Sequence, residues 1–295
     1  MEIPKNILLK RSYVNFNIKN IINFPFWMNN TIEELFNYIR STDLSQMKFL
    51  ELEIKLGMFN FNGTCKLYSY INDIIKLPKI EKDPYNNYQF NSQVNENQFY
   101  ALWSLIEEEC RYNPEIIKCE PLNFHEVMYK SQKRKSTIYT KGHTDGVKGG
   151  QEGSNLSSIP KKEVIIKQDK SHFDIRNNGN DMRITICKEF PTDITIDDIA
   201  VSERNKFRVS YKFGFFRIDF TIVNSKTIPD DFSKSSEKFE IEFELIGLMH
   251  LAEMTNNFQK FDVFEGLLKR FIENVLCFYY AIDTINFTNK KRKNI

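Results

Sequence analysis

Leu50-Glu51-Leu52-Glu53-Ile54-Lys55-Leu56-Gly57 alternates apolar and charged side chains along its whole length. A period of two belongs to a strand with one apolar and one charged face, so Glu51, Glu53 and Lys55 share a face. Gly57 reads as a bend or bulge that ends the run. The pattern returns near the other end of the chain in Phe239-Glu240-Ile241-Glu242-Phe243-Glu244. Three carboxylates stacked on one strand face repel one another and raise their own pKa values unless a cation joins them. Carboxylate oxygens are also the ligands that hard divalent ions prefer. Two such strands side by side make an acidic floor for one or two ions. Either stretch alone is also what a solvated amphipathic strand looks like, so the decision rests on the strands between them.

Those strands are predicted at Phe124–Lys130, Ser136–Thr140, Val164–Lys167, Met182–Glu189, Phe207–Lys212 and Phe216–Val223. Most of their charged faces carry cations. Arg134 and Ser136, then Lys167, then Arg183 and Thr185 alternate in turn, and Glu189 closes the fourth strand. Arg204, Lys206, Arg208 and Lys212 share one parity, and Arg217, Asp219 and Thr221 alternate in the next strand. A solvated sheet face usually interleaves both signs, because opposite charges across strands stabilise it. Here the acidic and basic strands are segregated, which fits a face lining a cavity that holds an anion and a metal together. Seven or eight strands in succession, flanked by helices, predict an α+β protein on a large antiparallel barrel. A barrel of about eight strands can enclose one small ligand.

Outside the strands, Thr31-Ile32-Glu33-Glu34 reads as a capping box starting a helix whose apolar face is Ile32, Leu35, Phe36 and Ile39. Gln98 to Cys110 is a second amphipathic helix, with Phe99, Leu102, Trp103 and Ile106 on one side. Residues 60–95 read as irregular connection. Residues 141–160 hold five of the chain's 11 glycines and read as a mobile insertion. C-terminal helices are predicted within 248–287, with Phe264, Leu267, Leu268, Phe271, Ile272, Val275 and Leu276 on one stripe. The 295 residues are read as one domain, 1–295, with the barrel core at about 49–246.

Composition excludes several classes. Lys and Arg number 41 against 39 Asp and Glu, and 41% of residues are hydrophobic, so neither a strongly basic nucleic-acid binder nor a disordered chain is expected. Mean hydropathy is −0.46 and no 18-residue apolar run occurs, so no membrane helix and no membrane partner are expected. Five cysteines without a CxxC pair point to a reducing compartment, and the first residues lack the apolar core of a secretion signal. None of the cysteines sits in a HCxxxxxR phosphatase loop. His125 and His172 read as surface or core histidines rather than ligands.

In this order, ELEIKLG (Glu51–Gly57), DMRITICKE (Asp181–Glu189), RNKFRVSY (Arg204–Tyr211), RIDFT (Arg217–Thr221) and EIEFE (Glu240–Glu244) resemble the fungal- and protozoan-type RNA 5′-triphosphatases. These are the metal-dependent beta subunits of the mRNA capping apparatus, in the triphosphate tunnel metalloenzyme superfamily. The resemblance runs from about Phe49 to Ile246. It implies a closed eight-stranded antiparallel tunnel with these side chains inward, and Mg²⁺ or Mn²⁺ as cofactor. By the same resemblance Glu51, Glu53 and Glu244 are the metal ligands, supported by Glu240 and Glu242. Glu189 positions the attacking water, and Lys206 and Arg208 grip the terminal phosphate. Arg134, Lys167 and Arg183 match further basic positions, while Lys55, Arg217, Asp219 and Thr221 brace the wall, with Arg217 also counted among the phosphate-binding cations. Glu126 stands where the family usually has Asp.

The resemblance implies removal of the γ-phosphate from the 5′-triphosphate end of nascent mRNA, the first step of cap formation, by a hydrolase of phosphoric anhydrides. It also implies a guanylyltransferase partner, a homodimer in some members, and a nuclear location. Lys290-Lys291-Arg292-Lys293 could be an import signal, an RNA contact or a solvated tail. Two alternatives stay open: the same tunnel acting on inorganic tripolyphosphate or nucleoside triphosphates, and a non-catalytic phosphate-binding scaffold subunit.

Overall fold

Strands with one charged and one apolar face must hide the apolar one, and here they do so by curling into a closed ring. The structure, a computed structural model, describes residues 26–61, 75–76, 88–139, 161–176, 180–228, 236–248, 250, 265–276 and 278. The eight ring strands are β1 (Leu50–Phe61), β6 (Leu122–Tyr129), β7 (Lys133–Tyr139), β8 (Lys161–Arg176), β9 (Asp181–Pro191), β10 (Ala200–Phe213), β11 (Phe216–Thr227) and β12 (Ser236–Leu245). They pair antiparallel in the order β1-β9-β8-β7-β6-β10-β11-β12, and β12 returns to β1 to close the barrel. Short strands extend the wall: β2 (Ile75–Lys76) on β8, β3 (Tyr88–Asn91) on β1, β4 (Gln93–Val94) on β12 and β5 (Ile117–Lys118) on β10.

The barrel is apolar outside and charged inside. Leu52, Ile54, Leu56, Ile184, Ile186, Ile218, Phe220, Ile241 and Phe243 point outward and are buried, which requires a cover. Helices α1 (Phe26–Ser41), α2 (Leu44–Met47) and α3 (Glu96–Tyr112) and a helix over 265–276 supply it. Phe99 of α3 is fully buried, 5.6 Å edge-on from Phe220 and 5.1 Å from Phe239. Phe271 stacks on Phe216 at 5.6 Å, and Leu267, Leu268, Ile272, Val275 and Leu276 are buried beside it. Ile32, Leu35, Phe36 and Ile39 of α1 are buried as their spacing predicts. No helix of the described residues is long and apolar enough to cross a membrane.

Several local expectations are corrected. Thr31 does not cap α1, because the helix already runs from Phe26 and Thr31 is buried inside it. The capping box that does form is on α3, where Asn95 accepts from the backbone N–H of Asn97 at 2.9 Å and Gln98 reaches back to Asn95 N. Gly57 does not end β1, which continues to Phe61. The glycine is needed because β3 passes so close that a Cβ there would lie 2.1 Å from the Asn91 carbonyl oxygen. β8 is far longer than Val164–Lys167, because a bulge between Gln168 and Ser171 hides its alternation. Gly214, at φ +57°, opens the two-residue β10–β11 hairpin loop. The insertion at 141–160, the basic tail and Phe264 lie outside the described residues.

Candidate functional site

Register carries the charged faces of all eight strands into the lumen. Glu53 lies opposite Glu244, and Lys55 opposite Glu242, where β1 meets β12. On the other side of β1, Glu51 faces Cys187, Glu53 faces Thr185 and Lys55 faces Arg183. Lys167 pairs with Glu189 across β8 and β9, Arg204 with Glu126 across β10 and β6, and Arg208 with Thr221 across β10 and β11. The acidic strands predicted to lie side by side are neighbours, and the basic strands complete the ring.

Cations and carboxylates interlock across this lumen. Lys167 Nζ lies 2.5 Å from Glu51 Oε2, 3.1 Å from Glu189 Oε1 and 3.7 Å from Glu53 Oε1. Arg134 reaches Glu189 at 3.1 Å. Lys206 lies 2.8 Å from Glu126, both nearly sealed from solvent. Arg208 spends three edges at once, donating to Thr221 Oγ1 at 3.1 Å and pairing with Asp219 and Glu242 at 3.0 Å each. Its guanidinium also lies over the Phe124 ring at 5.4 Å. Lys55 bridges Glu242 at 2.7 Å and Glu53 at 3.2 Å, and Arg217 pairs with Asp219 and Glu244. Ser92 donates to Glu240 at 2.8 Å.

The protonation states follow from this packing. Burial works against the Lys167 ammonium, but Glu53, Glu51 and Glu189 outweigh it and hold its pKa above the ordinary lysine range. Burial likewise opposes Glu242, yet Lys55, Arg208 and Lys206 keep its carboxyl well below the usual range. Glu126 is lowered because Lys206 and Arg134 overcome its burial, whereas burial of Lys206 outweighs Glu126, Glu240 and Glu242 and lowers the amine. The pair is ionised, with the lysine the more deeply desolvated partner. Glu244 goes the other way. Burial, reinforced by Glu51, Asp219 and Glu53, outweighs Arg217 and pushes it up to about 7. Burial pushes the lumen thiol of Cys187 up to about 12, so it is no nucleophile.

Glu51, Glu53 and Glu244 offer only oxygen donors on two paired strands, the donor set of a hard divalent cation. Glu244 behaves as a carboxylate short of positive charge, and an ammonium already sits between Glu51 and Glu53. The residues fit such an ion. Their oxygens are held by Lys167, Lys55 and Arg217, and among the described residues no three His, Cys, Asp or Glu side chains converge as a ready metal cage.

Of the residues singled out from sequence, Arg183 is placed apart. It sits opposite Lys55 in the β1–β9 register, forms a two-point pair with Asp174 at 2.6 and 2.7 Å and lies over the Phe90 ring at 4.8 Å. Asp174 escaped the sequence reading because the β8 bulge breaks the parity that links it to Lys167; its own alternation with Phe173 and Ile175 was the available signal. Phe124 and Cys187 were missed as lumen residues because apolar side chains there look like core. His172 sits by Thr185, Nδ1 to Oγ1 3.1 Å, and His125 is 3.7 Å from Glu203 on the other face of β6 from Glu126.

A closed tunnel lined by cations that face carboxylates suits a ligand combining a polyanion with a metal ion. The S. pombe Pct1 RNA triphosphatase is similar in structure, with a TM-score of 0.64 at 16% identity over 91% of this chain and 98% of that one. Its complex with the Spt5 CTD gives 0.64 at 16% identity, over 92% and 98%. The Mimivirus capping enzyme triphosphatase gives 0.38 at 15% identity, over 81% and 96%. At 16% identity the likeness to Pct1 is one of fold. No curated protein matches the sequence. The family of the mRNA capping enzyme beta chain, the mRNA triphosphatases, matches residues 28–283, and the chain belongs to it. It is accordingly an RNA triphosphatase of mRNA capping.

Proposed function

We propose that this chain removes the γ-phosphate of 5′-triphosphate RNA with Mg²⁺ or Mn²⁺ held by Glu51, Glu53 and Glu244. The observation that carries the metal-dependent reading is the Glu53–Glu244 register, which puts three carboxylates in the same lumen as Arg134, Lys206 and Arg208. When bound, the ion supplies charge neutralisation on the phosphate oxygens. Lys206, Arg208 and Arg134 bind the terminal phosphate and stabilise the charge that develops on it. Asp219, Thr221 and Glu242 hold the Arg208 plane, so its remaining N–H groups are aimed before substrate arrives. Glu189 accepts a hydrogen bond from the attacking water and orients it in line with the bond that breaks. Water adds to the γ-phosphorus, the β–γ bridging oxygen leaves with the RNA diphosphate, and inorganic phosphate departs.

A diphosphate end is the acceptor a guanylyltransferase needs, which supports that enzyme as the partner. Nuclear location is supported by the capping role and by Lys290 to Lys293, and a homodimer is the assembly to look for. The decisive experiment follows phosphate release from γ-labelled triphosphate RNA with and without Mg²⁺ or Mn²⁺. Glu51→Ala and Glu244→Ala proteins that fold and keep full activity would refute the ligand assignment. Relative kcat/KM on RNA and on tripolyphosphate distinguishes RNA from the shorter polyanions.

A further inference from the structure

Lys167 occupies an unusual seat. Its ammonium lies against three carboxylates at once, Glu51, Glu53 and Glu189, at 2.5, 3.7 and 3.1 Å. Two of the three are the carboxylates assigned to the divalent ion and the third is the one assigned to the water. A lysine amine is a compact charge on a flexible four-carbon stem, so it can fill and leave such a seat by rotamer change alone. A divalent ion and this ammonium cannot hold the same Glu51 oxygen together, because like charges at contact repel strongly in a partly dry lumen.

We propose that Lys167 is an internal placeholder cation. It neutralises Glu51 and Glu53 before the metal binds, is displaced when the metal enters, and is thereby released to meet the phosphate of the substrate. The inference rests on the divalent-ion reading above and adds an order to it: metal first, then a lumen with one more free cation for the triphosphate. Lys55 and Arg217 do not share the role, because each meets one carboxylate of the metal set, Glu53 and Glu244 respectively, whereas Lys167 meets two. Lys167 is a positioning residue in the metal-free protein and a phosphate contact in the loaded one. No atom is transferred in the exchange; one ion pair is traded for another.

The test measures Mn²⁺ binding without phosphate, by the electron paramagnetic resonance signal of free Mn²⁺, on the full chain. Lys167→Met has no competitor to displace and should bind Mn²⁺ at least about five-fold more tightly than wild type, a modest coupling by the usual range. Lys167→Arg keeps a competing charge and should stay within about two-fold of wild type. Equal or weaker Mn²⁺ binding by Lys167→Met overturns the placeholder role. If wild type binds no Mn²⁺, or Glu51→Gln binds it as well as wild type does, the divalent-ion reading fails and takes this inference with it. A crystal structure of the wild-type protein with Mn²⁺ gives a second readout that needs no variant. Lys167 Nζ should have left hydrogen-bond reach of Glu51, and an unchanged contact beside a bound ion overturns the proposal.

Discussion

Glu126→Gln isolates the most deeply buried ion pair of the lumen. Glu126 and Lys206 lie 2.8 Å apart with 7% and 6% of their side chains exposed. Removing one partner of a buried pair leaves the other as an uncompensated charge, a loss of about 3–5 kcal/mol. Lys206 keeps the more distant fields of Glu240 and Glu242, so the lower end applies, about 3 kcal/mol. At roughly 2–4 °C per kcal/mol, Tm should fall by roughly 6–12 °C. The loss should also depend on pH. The Lys206 amine already lies below the ordinary lysine pKa through burial, and losing Glu126 lowers it further. The unfolded chain then holds a proton that the folded variant has released, so stability rises with pH across that window. The deficit is full at neutral pH and shrinks as pH climbs toward about 10, where lysine is neutral in both states. Urea melts from about pH 7 to 10 measure both quantities. A loss below about 1 kcal/mol, or one independent of pH, would refute the reasoning. Glu126→Asp, the residue the family resemblance implies here, keeps the charge and should recover most of the stability.

Glu244 makes the opposite pH prediction. Its folded pKa near 7 lies above the unfolded value, so the native state holds the extra proton and its contribution declines as pH rises from about 4.3 to 7. Relative to Glu244→Gln, the metal-free wild type should lose about 3 kcal/mol across that window, read from denaturant midpoints; parallel curves would contradict the raised value. Gly57→Ala drives a methyl group into the Asn91 carbonyl and should cost about 1–3 kcal/mol in the same assay, whereas unchanged stability would mean that β3 yields freely. Phe99→Ala empties the junction of α3 with Phe220 and Phe239 and should lower stability by about 3–5 kcal/mol.

Much of the barrel was legible because each ring strand writes its two faces in alternate residues. Leu52, Ile54 and Leu56 announced an outer apolar face, and Glu51, Glu53 and Lys55 an inner charged one. Where a bulge breaks the period, legibility ends: Asp174 lies beyond Gln168–Ser171 and went unseen, and with it the partner that holds Arg183. Gly57 was legible as special but not for the right reason, since a close approach by β3 is a long-range fact.

The sequence by itself determined which residues share a strand face and that acidic and basic faces are kept apart, because parity and charge are local properties of the chain. Only the tertiary structure decided which faces meet. Closure of β12 on β1 sets Glu53 against Glu244, and the β8–β9 register delivers Lys167 to Glu51 and Glu189. Those pairings depend on how strands distant in sequence stagger around the ring, and no local pattern encodes that stagger. Within the lumen, cations and carboxylates from strands distant in sequence offset one another, which the net charge of the whole chain does not reveal.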